Sequence, residues 1–255
     1  MDYGLKGKVA LVTGTASQAG MGKAISVTLA NEGCDIISCD LDLAGAQKTA
    51  DEVKALGRKA AAFKVDVTND DAVKATVKTA LAQFDKIDIL VNTAGASAGG
   101  GKPFLEQNSD MWQKDISLNL YGTMNMSKAV VPGMVERKYG KIVNFASIAA
   151  KQPLLGSYSA AKAAVISVTA GLANTYGPSN INCNCIAPGV VGTNFFNAIP
   201  EERRKQMWEG MANRVPMRRI QTVEDIANAV AFLVSDVSKN ITGQCIQVDS
   251  GLVMF

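Results

Sequence analysis

The segment Thr13-Gly14-Thr15-Ala16-Ser17-Gln18-Ala19-Gly20-Met21-Gly22 sets three glycines between an apolar run and a stretch with helical periodicity. Glycines at such a turn let backbone amides approach a pyrophosphate, and the N-terminus of the following helix favours the anion. Gly14 suits the tight turn, Gly20 the close approach and Gly22 the packing of helix on strand, with Ser17, Gln18 and Met21 lining the loop. Asp40 ends the next apolar run, 18 residues after Gly22. An acidic residue there accepts hydrogen bonds from ribose hydroxyls and repels a 2′-phosphate, which favours NAD over NADP. A solvated loop aspartate is the alternative, with Asp42 close by. Asp66, in Val65-Asp66-Val67-Thr68, ends the third apolar run. It sits either where an adenine ring would lie, beside Leu41 and Val67, or near a helix N-cap.

Acid–base chemistry has few residue types to draw on, because the 255 residues contain no histidine. That excludes Ser-His-Asp and Cys-His machinery and any histidine-held haem or metal. Proton transfer near neutral pH falls to Tyr, Lys, Asp, Glu or Cys, with a pKa moved by the surroundings. Cys34, Cys39, Cys183, Cys185 and Cys245 form no C-x-x-C pair and read as core thiols in a reducing cytosol, with no zinc site expected. A net charge of +3, from 26 basic and 23 acidic residues, argues against a nucleic-acid partner. No apolar run reaches the roughly 18 residues of a membrane helix. No secretory leader is expected in Met1 to Lys8, so the expected setting is cytoplasmic.

Strands are predicted near 8–13, 35–40, 60–65, 88–91, 140–146, 181–187 and 244–248. Their nearly continuous apolar character is that of parallel strands buried on both faces. Helices are predicted near 21–32, 43–56, 70–83, 109–138, 157–176, 200–210 and 223–234. The alternation implies right-handed crossovers and an α/β fold: one doubly wound, seven-stranded, mainly parallel sheet with helices on both faces. No linker divides residues 1–255, so a single domain is expected. Ala94 to Gly101 reads as a loop at the ligand edge.

On that frame lies Tyr158-Ser159-Ala160-Ala161-Lys162, with Ser147 upstream at a strand end, Asn119 in a helix, Asn92-Thr93-Ala94-Gly95 after a strand, and Pro188-Gly189 followed by Thr193. This ordered set resembles the short-chain dehydrogenase/reductase family from about Leu5 to Gly251, and a Rossmann-type fold comes with the resemblance. The resemblance implies Asn119, Ser147, Tyr158 and Lys162 as the catalytic group. It implies a nicotinamide cofactor held by the glycine loop, Asp40, Leu41, Asp66, Val67, Asn92, Ala94, Gly95, Tyr158, Lys162, Pro188, Gly189, Val191 and Thr193. Tyr158 and Lys162, four apart on one helix, share a face. Moving a phenol from about 10 to about 7 takes about 4 kcal/mol of preferential phenolate stabilisation. The Lys162 ammonium and a nicotinamide cation are the sources expected. Tyr158 would exchange a proton with the substrate oxygen, Ser147 would hydrogen-bond that oxygen, and Asn119 would hold a relay water.

Some positions depart from the family pattern. The glycine loop is longer by two residues than its common form, the Ser147–Tyr158 loop is about two shorter, and Thr93 and Ser250 replace the usual Asn and Gly. A cofactor-binding but inactive subunit paired with an active paralogue is therefore the alternative. A Ser147–Lys162 hydrolase is a third reading, disfavoured because no G-x-S-x-G elbow is present.

The segment 194–220 is expected to form a substrate lid. Phe195, Phe196, Met207, Trp208, Met211 and Met217 would give an apolar wall. Arg214 and Arg218 are candidate contacts for an anionic alcohol or ketone, while Arg203, Arg204 and Lys205 read as a solvated face. A homotetramer built on helices 109–138 and 157–176, or a hetero-oligomer with a paralogue, is the expected assembly.

Overall fold

The computed structural model of the chain describes residues 2–99, 102–152, 156–193 and 200–254. Apolar runs become strands in the order read from the sequence: β1 (Val9–Thr13), β2 (Asp35–Asp40), β3 (Ala60–Lys64), β4 (Ile89–Asn92), β5 (Gly140–Phe145), β6 (Ile181–Pro188) and β7 (Cys245–Val248). They form one sheet in the order β3-β2-β1-β4-β5-β6-β7, and every pairing is parallel. β1, β4, β5 and β6 are buried along their whole length; β1 and β4 accordingly read as apolar runs, while β5 and β6 also bury the polar Lys141, Asn144, Asn182 and Asn184.

Helices cover both faces. On one, Ile25 and Leu29 of α1 (Met21–Asn31), Val53 of α2 (Leu43–Ala55) and Ile226 and Val230 of α8 (Val223–Val234) pack with Val12, Ile36 and Val143 of the sheet. On the other, Val73 and Val77 of α3 (Asp70–Phe84) and Met126 and Val130 of α5 (Gly122–Arg137) pack on Leu11, Ile37 and Ile142. Helix starts follow the capping chemistry of the sequence. Asp42 caps α2, Asn69 caps α3, Asn108 caps α4 (Ser109–Ile116), and Thr222 with Asp225 forms a reciprocal capping box on α8. The α1 N-cap is Gly20, with no side-chain cap.

The sequence predicts one helix over 109–138, and here the chain departs from it. A π-helical turn, Ser117–Tyr121, separates α4 from α5. The extra residue in that turn swings Asn119 inward, and such wide turns recur at functional sites. α6 (Ser157–Tyr176) and α7 (Glu201–Ala212) complete the helices. Strand order reverses between β1 and β4, and at such a switch point ligands bind beyond the carboxyl ends of the strands. Among the described residues no helix is long and apolar enough to cross a membrane.

Candidate active site

The glycine turn leaves β1 at the switch point. Gly14 has φ +72° and lies against Ala94 after β4, so a left-handed backbone and a close approach both require glycine there. A Cβ at Gly22 would collide with the Gly14 carbonyl, which is the close helix–strand packing the sequence implies. Gly22→Ala is expected to cost about 1–3 kcal/mol by overpacking and to weaken NADH binding together with it. Urea midpoints and NADH titration of the same samples check this; an unchanged midpoint would show that the turn yields freely.

Asp40 stands at the end of β2. One carboxylate oxygen accepts from Ala16 N at 2.9 Å and the other from Asp42 N at 3.0 Å. It therefore fixes the glycine loop while keeping lone pairs for ribose hydroxyls. Asp42 is occupied with capping α2 through Ala44 N and Gly45 N. This separates the roles that the sequence left open between the two carboxylates. The amide of Gln18 folds back onto Ala16 O and Gly45 O, so it serves the loop itself. Ser17 packs under Gly20, Met21 begins α1, and Leu41 is exposed beside Asp40.

Asp66 lies two residues past the end of β3 rather than at it, and turns back to accept from Thr68 N and Oγ1. With Thr68, Ala96, Ser97, Lys114, Asp115 and Leu118 it lines a cavity of about 420 Å³, while neighbouring Val67 is buried against Gly122. Asn92 is buried, and its amide donates to Asn144 Oδ1 at 2.9 Å and to Ser127, tying β4 to β5. Ala94 N and Thr93 N both donate to Thr13 Oγ1, which holds the Asn-Thr-Ala-Gly turn against β1.

Four residues from three separate segments converge beyond β4, β5 and β6. Lys162, 4% exposed, donates to Phe145 O at 2.7 Å and lies 5.7 Å from the Tyr158 ring centroid. Burial lowers its pKa to about 8. The Ser147 hydroxyl, in the turn after β5, hydrogen-bonds the Tyr158 phenol and accepts from Ala149 N. The shorter Ser147–Tyr158 loop thus still brings the two together. Asn119 is fully buried and donates to Ala96 O and Asp115 O. Its Oδ1 has no partner and faces Gly95 and the Lys162 ammonium, the atoms nearest a Cβ built on Gly95. An orphaned buried carbonyl costs about 1–3 kcal/mol, so this one is set to accept from water or ligand when the site fills.

In the chain by itself burial raises the Tyr158 pKa to about 12, with the Ser147 hydrogen bond acting against it and the Asp115 charge adding to it; the expected lowering draws also on a nicotinamide cation, which the chain alone does not supply. Lys162 spends a donor on Phe145 O and is itself desolvated, so it does not offset the burial of the phenol.

Pro188 ends β6, and Gly189 lies against Asp249 so closely that a Cβ would meet its Cα at 2.9 Å. Val191 bridges Gln221, and Thr193 N donates to Val191 O. Phe195 and Phe196 lie outside the described residues. Arg214 and Arg218 are both exposed, and Arg218 turns its guanidinium onto Asn213 O at the end of α7.

Two residues of the site escaped the sequence reading. Asp115, 1% exposed, accepts from Ala98 N at 2.6 Å and from Ser157 Oγ at 2.7 Å. Gln107 accepts from Trp112 and sits against Gly156, whose φ of +54° opens α6. The i−4 spacing of Asp115 to Asn119 was the one available signal, and it is invisible without knowing that the helix widens there.

The residues present fit a dinucleotide on two observations of the fold: a glycine cradle ending at a helix start without a side-chain cap, and an orphaned Asn119 carbonyl beside Lys162. Comparisons with known proteins agree. A family model described as "Enoyl-(Acyl carrier protein) reductase" matches residues 14–253. The (2S)-[(R)-hydroxy(phenyl)methyl]succinyl-CoA dehydrogenase subunit BbsD of Thauera aromatica is 37% identical over 257 residues, 99% of each chain. The 3-oxoacyl-[acyl-carrier-protein] reductase FabG of Thermotoga maritima is 34% identical over 98% of this chain and 99% of its own. NAD+-bound xylitol dehydrogenase superposes with a TM-score of 0.90 at 32% identity, covering 97% of this chain and 99% of that one. Carveol dehydrogenase from Mycobacterium avium in complex with NAD does so with 0.88 at 30%, covering 98% of each. The fold and site define a nucleotide-binding oxidoreductase of the hydride-transfer class. The chain belongs to the short-chain dehydrogenase/reductase family.

Proposed function

We propose that the protein is an NAD(H)-dependent alcohol dehydrogenase or ketoreductase that interconverts a secondary alcohol and a ketone. The observation that carries this reading is the convergence of Ser147, Tyr158, Lys162 and the unpartnered Asn119 Oδ1 in one cluster. The glycine loop and the α1 N-terminus would hold a pyrophosphate, Asp40 a ribose, and Lys162 with Tyr158 the far ribose. When bound, the nicotinamide ring supplies the hydride donor or acceptor and, when oxidised, a positive charge. Tyr158, held protonated at neutral pH by burial, gives its proton to the substrate oxygen in reduction, and Ser147 donates to the same oxygen. Lys162, with its pKa near the working range, returns a proton toward Tyr158 through water held by Asn119 Oδ1.

Preference for NAD over NADP rests on Asp40, whose charge faces the ribose end with Asp42 next to it. NADH titration followed by nicotinamide fluorescence, set against NADPH, is the primary test. Tight NADH and weak NADPH binding is the expected result, and binding of neither would overturn the reading. Asp40→Ala should reduce the NADH-over-NADPH preference about tenfold or more, because it removes the repulsion against a 2′-phosphate. Some loss of affinity for both nucleotides should accompany it, since Ala16 N loses its acceptor. An unchanged ratio would place selectivity elsewhere.

For the substrate we propose a small alcohol or ketone, with anionic and acyl-thioester compounds included in the screen. The names of the relatives from Thauera and Thermotoga support including the acyl thioesters. We further propose a homotetramer in a cytoplasmic setting. Exposed Tyr121 and Met124 near and on α5, exposed Ala160 and Ala163 on α6, and five unpaired cysteines support that setting and assembly. Light scattering checks the mass. NADH binding without turnover of any ketone would favour the inactive-subunit reading instead.

A further inference from the structure

We propose that Asp115 is a positioning residue of this site: its carboxylate joins the loop after β4 to the first turn of α6 and so holds Asn119 and Tyr158 in one frame. The inference rests on the redox reading above. One carboxylate oxygen takes the Ala98 amide at 2.6 Å, and the other takes the Ser157 hydroxyl at 2.7 Å, one residue before Tyr158. Through its backbone, Asp115 also accepts the Asn119 amide at 2.9 Å. Three segments distant in sequence therefore meet on this residue: Ala96 to Ala98 of the loop, the widened turn that carries Asn119, and the start of α6.

The residue type matters as much as the place. Asp115 is 1% exposed, and among the described residues no ion pair reaches it. Burying an unpaired carboxylate is costly, and an asparagine would satisfy both Ala98 N and the Ser157 hydroxyl without that cost. A charge retained there acts on something besides the fold. Its charge bears on the Tyr158 phenol. Three groups bear on that phenol: Ser147 by hydrogen bond from the turn after β5, Asp115 by charge from α4, and Lys162 from its own helix. On its other side Asp115 faces the cavity that Lys114 and Asp66 also line. A negative charge beside the phenol favours the protonated form, which is the form needed to donate to a ketone oxygen.

The test compares Asp115→Asn and Asp115→Ala with the parent in NADH-driven reduction of ethyl acetoacetate, followed by NADH absorbance from neutral to alkaline pH. Asp115→Asn should keep neutral-pH turnover within about threefold and move the alkaline limb of kcat down by about half to one pH unit. Asp115→Ala should lose about 10- to 100-fold in kcat, with the KM for NADH changed by less than about twofold. A limb for Asp115→Asn that coincides with the parent's, or full kcat in Asp115→Ala, overturns the proposal. If the parent reduces no ketone, the redox reading fails and Asp115 is judged by amide hydrogen exchange. Asp115→Ala should then speed exchange at Ala98 and in the first turn of α6 together, and Asp115→Asn should restore it. Unchanged exchange at either segment overturns the proposal.

Discussion

Tyr158→Phe is expected to lower kcat for ketone reduction by about 10³- to 10⁴-fold while leaving NADH affinity within about threefold. The phenol is the one acidic O–H placed to deliver a full proton to a substrate oxygen. Ser147 beside it has a hydroxyl that hydrogen-bonds but ionises far too weakly to replace it. Loss of the hydroxyl leaves the ring in place, packed 5.7 Å from the Lys162 ammonium, so the pocket keeps its shape. Stability should change by only about 1 kcal/mol, the net worth of one hydrogen bond to Ser147. Single-turnover NADH oxidation with a screened ketone measures the chemical step directly, and thermal melts of the same samples check the fold. A loss of less than about tenfold would move the proton donor to another group. An equal loss of NADH binding would instead make Tyr158 chiefly a cofactor contact.

Most of the architecture is legible in the chain because parallel strands buried on both faces write themselves as unbroken apolar runs. Val9–Thr13 is the clear example, whereas Asn182 and Asn184 interrupt Ile181–Pro188 and are buried all the same. Glycines at the switch point are equally legible, since Gly14 and Gly22 occupy positions where a Cβ has no room. Two features were not. The π-helical turn at Ser117–Tyr121 is set by tertiary contacts of Asn119 with Ala96 and Asp115, and helical periodicity runs through it unchanged. The burial of Tyr158 was missed because i,i+4 spacing places Lys162 near the ring but says nothing about burial, which raises the phenol pKa in the chain by itself. Asp115 shows the same: a carboxylate in a helical stretch reads as a solvated face until the fold closes over it.

Lys162→Met is expected to abolish turnover, by about 10³-fold or more in kcat/KM, and yet leave the nucleotide-free protein at least as stable at pH 7 as the parent. The argument is one of linkage. Burial lowers Lys162 from its ordinary 10.5 to about 8 in the folded chain. Below pH 8 both folded and unfolded chains carry the proton, and the folded state bears the full cost of the buried ammonium, about 3 kcal/mol. Between about 8 and 10.5 the unfolded chain holds more protons than the folded one, so this cost is relieved and the contribution of Lys162 to stability rises with pH. Methionine has a similar length, no charge and no such dependence. It does forfeit the hydrogen bond to Phe145 O, worth about 1–3 kcal/mol if that carbonyl stays dry, which offsets much of the gain at pH 7. The signature is therefore the change with pH rather than the value at one pH. Raising pH from 7 to about 9.5 should move the stability difference toward the parent by about 2 kcal/mol. The buried Cys34, Cys39 and Cys183 thiols are common to both proteins and cancel in the difference, whereas Cys185 bears on Lys162 by charge and does not. Paired urea unfolding at the two pH values reads this out without substrate or cofactor. A pH-independent difference would mean that Lys162 keeps its ordinary pKa, and the proton return assigned to it in the reaction would have to be reassigned.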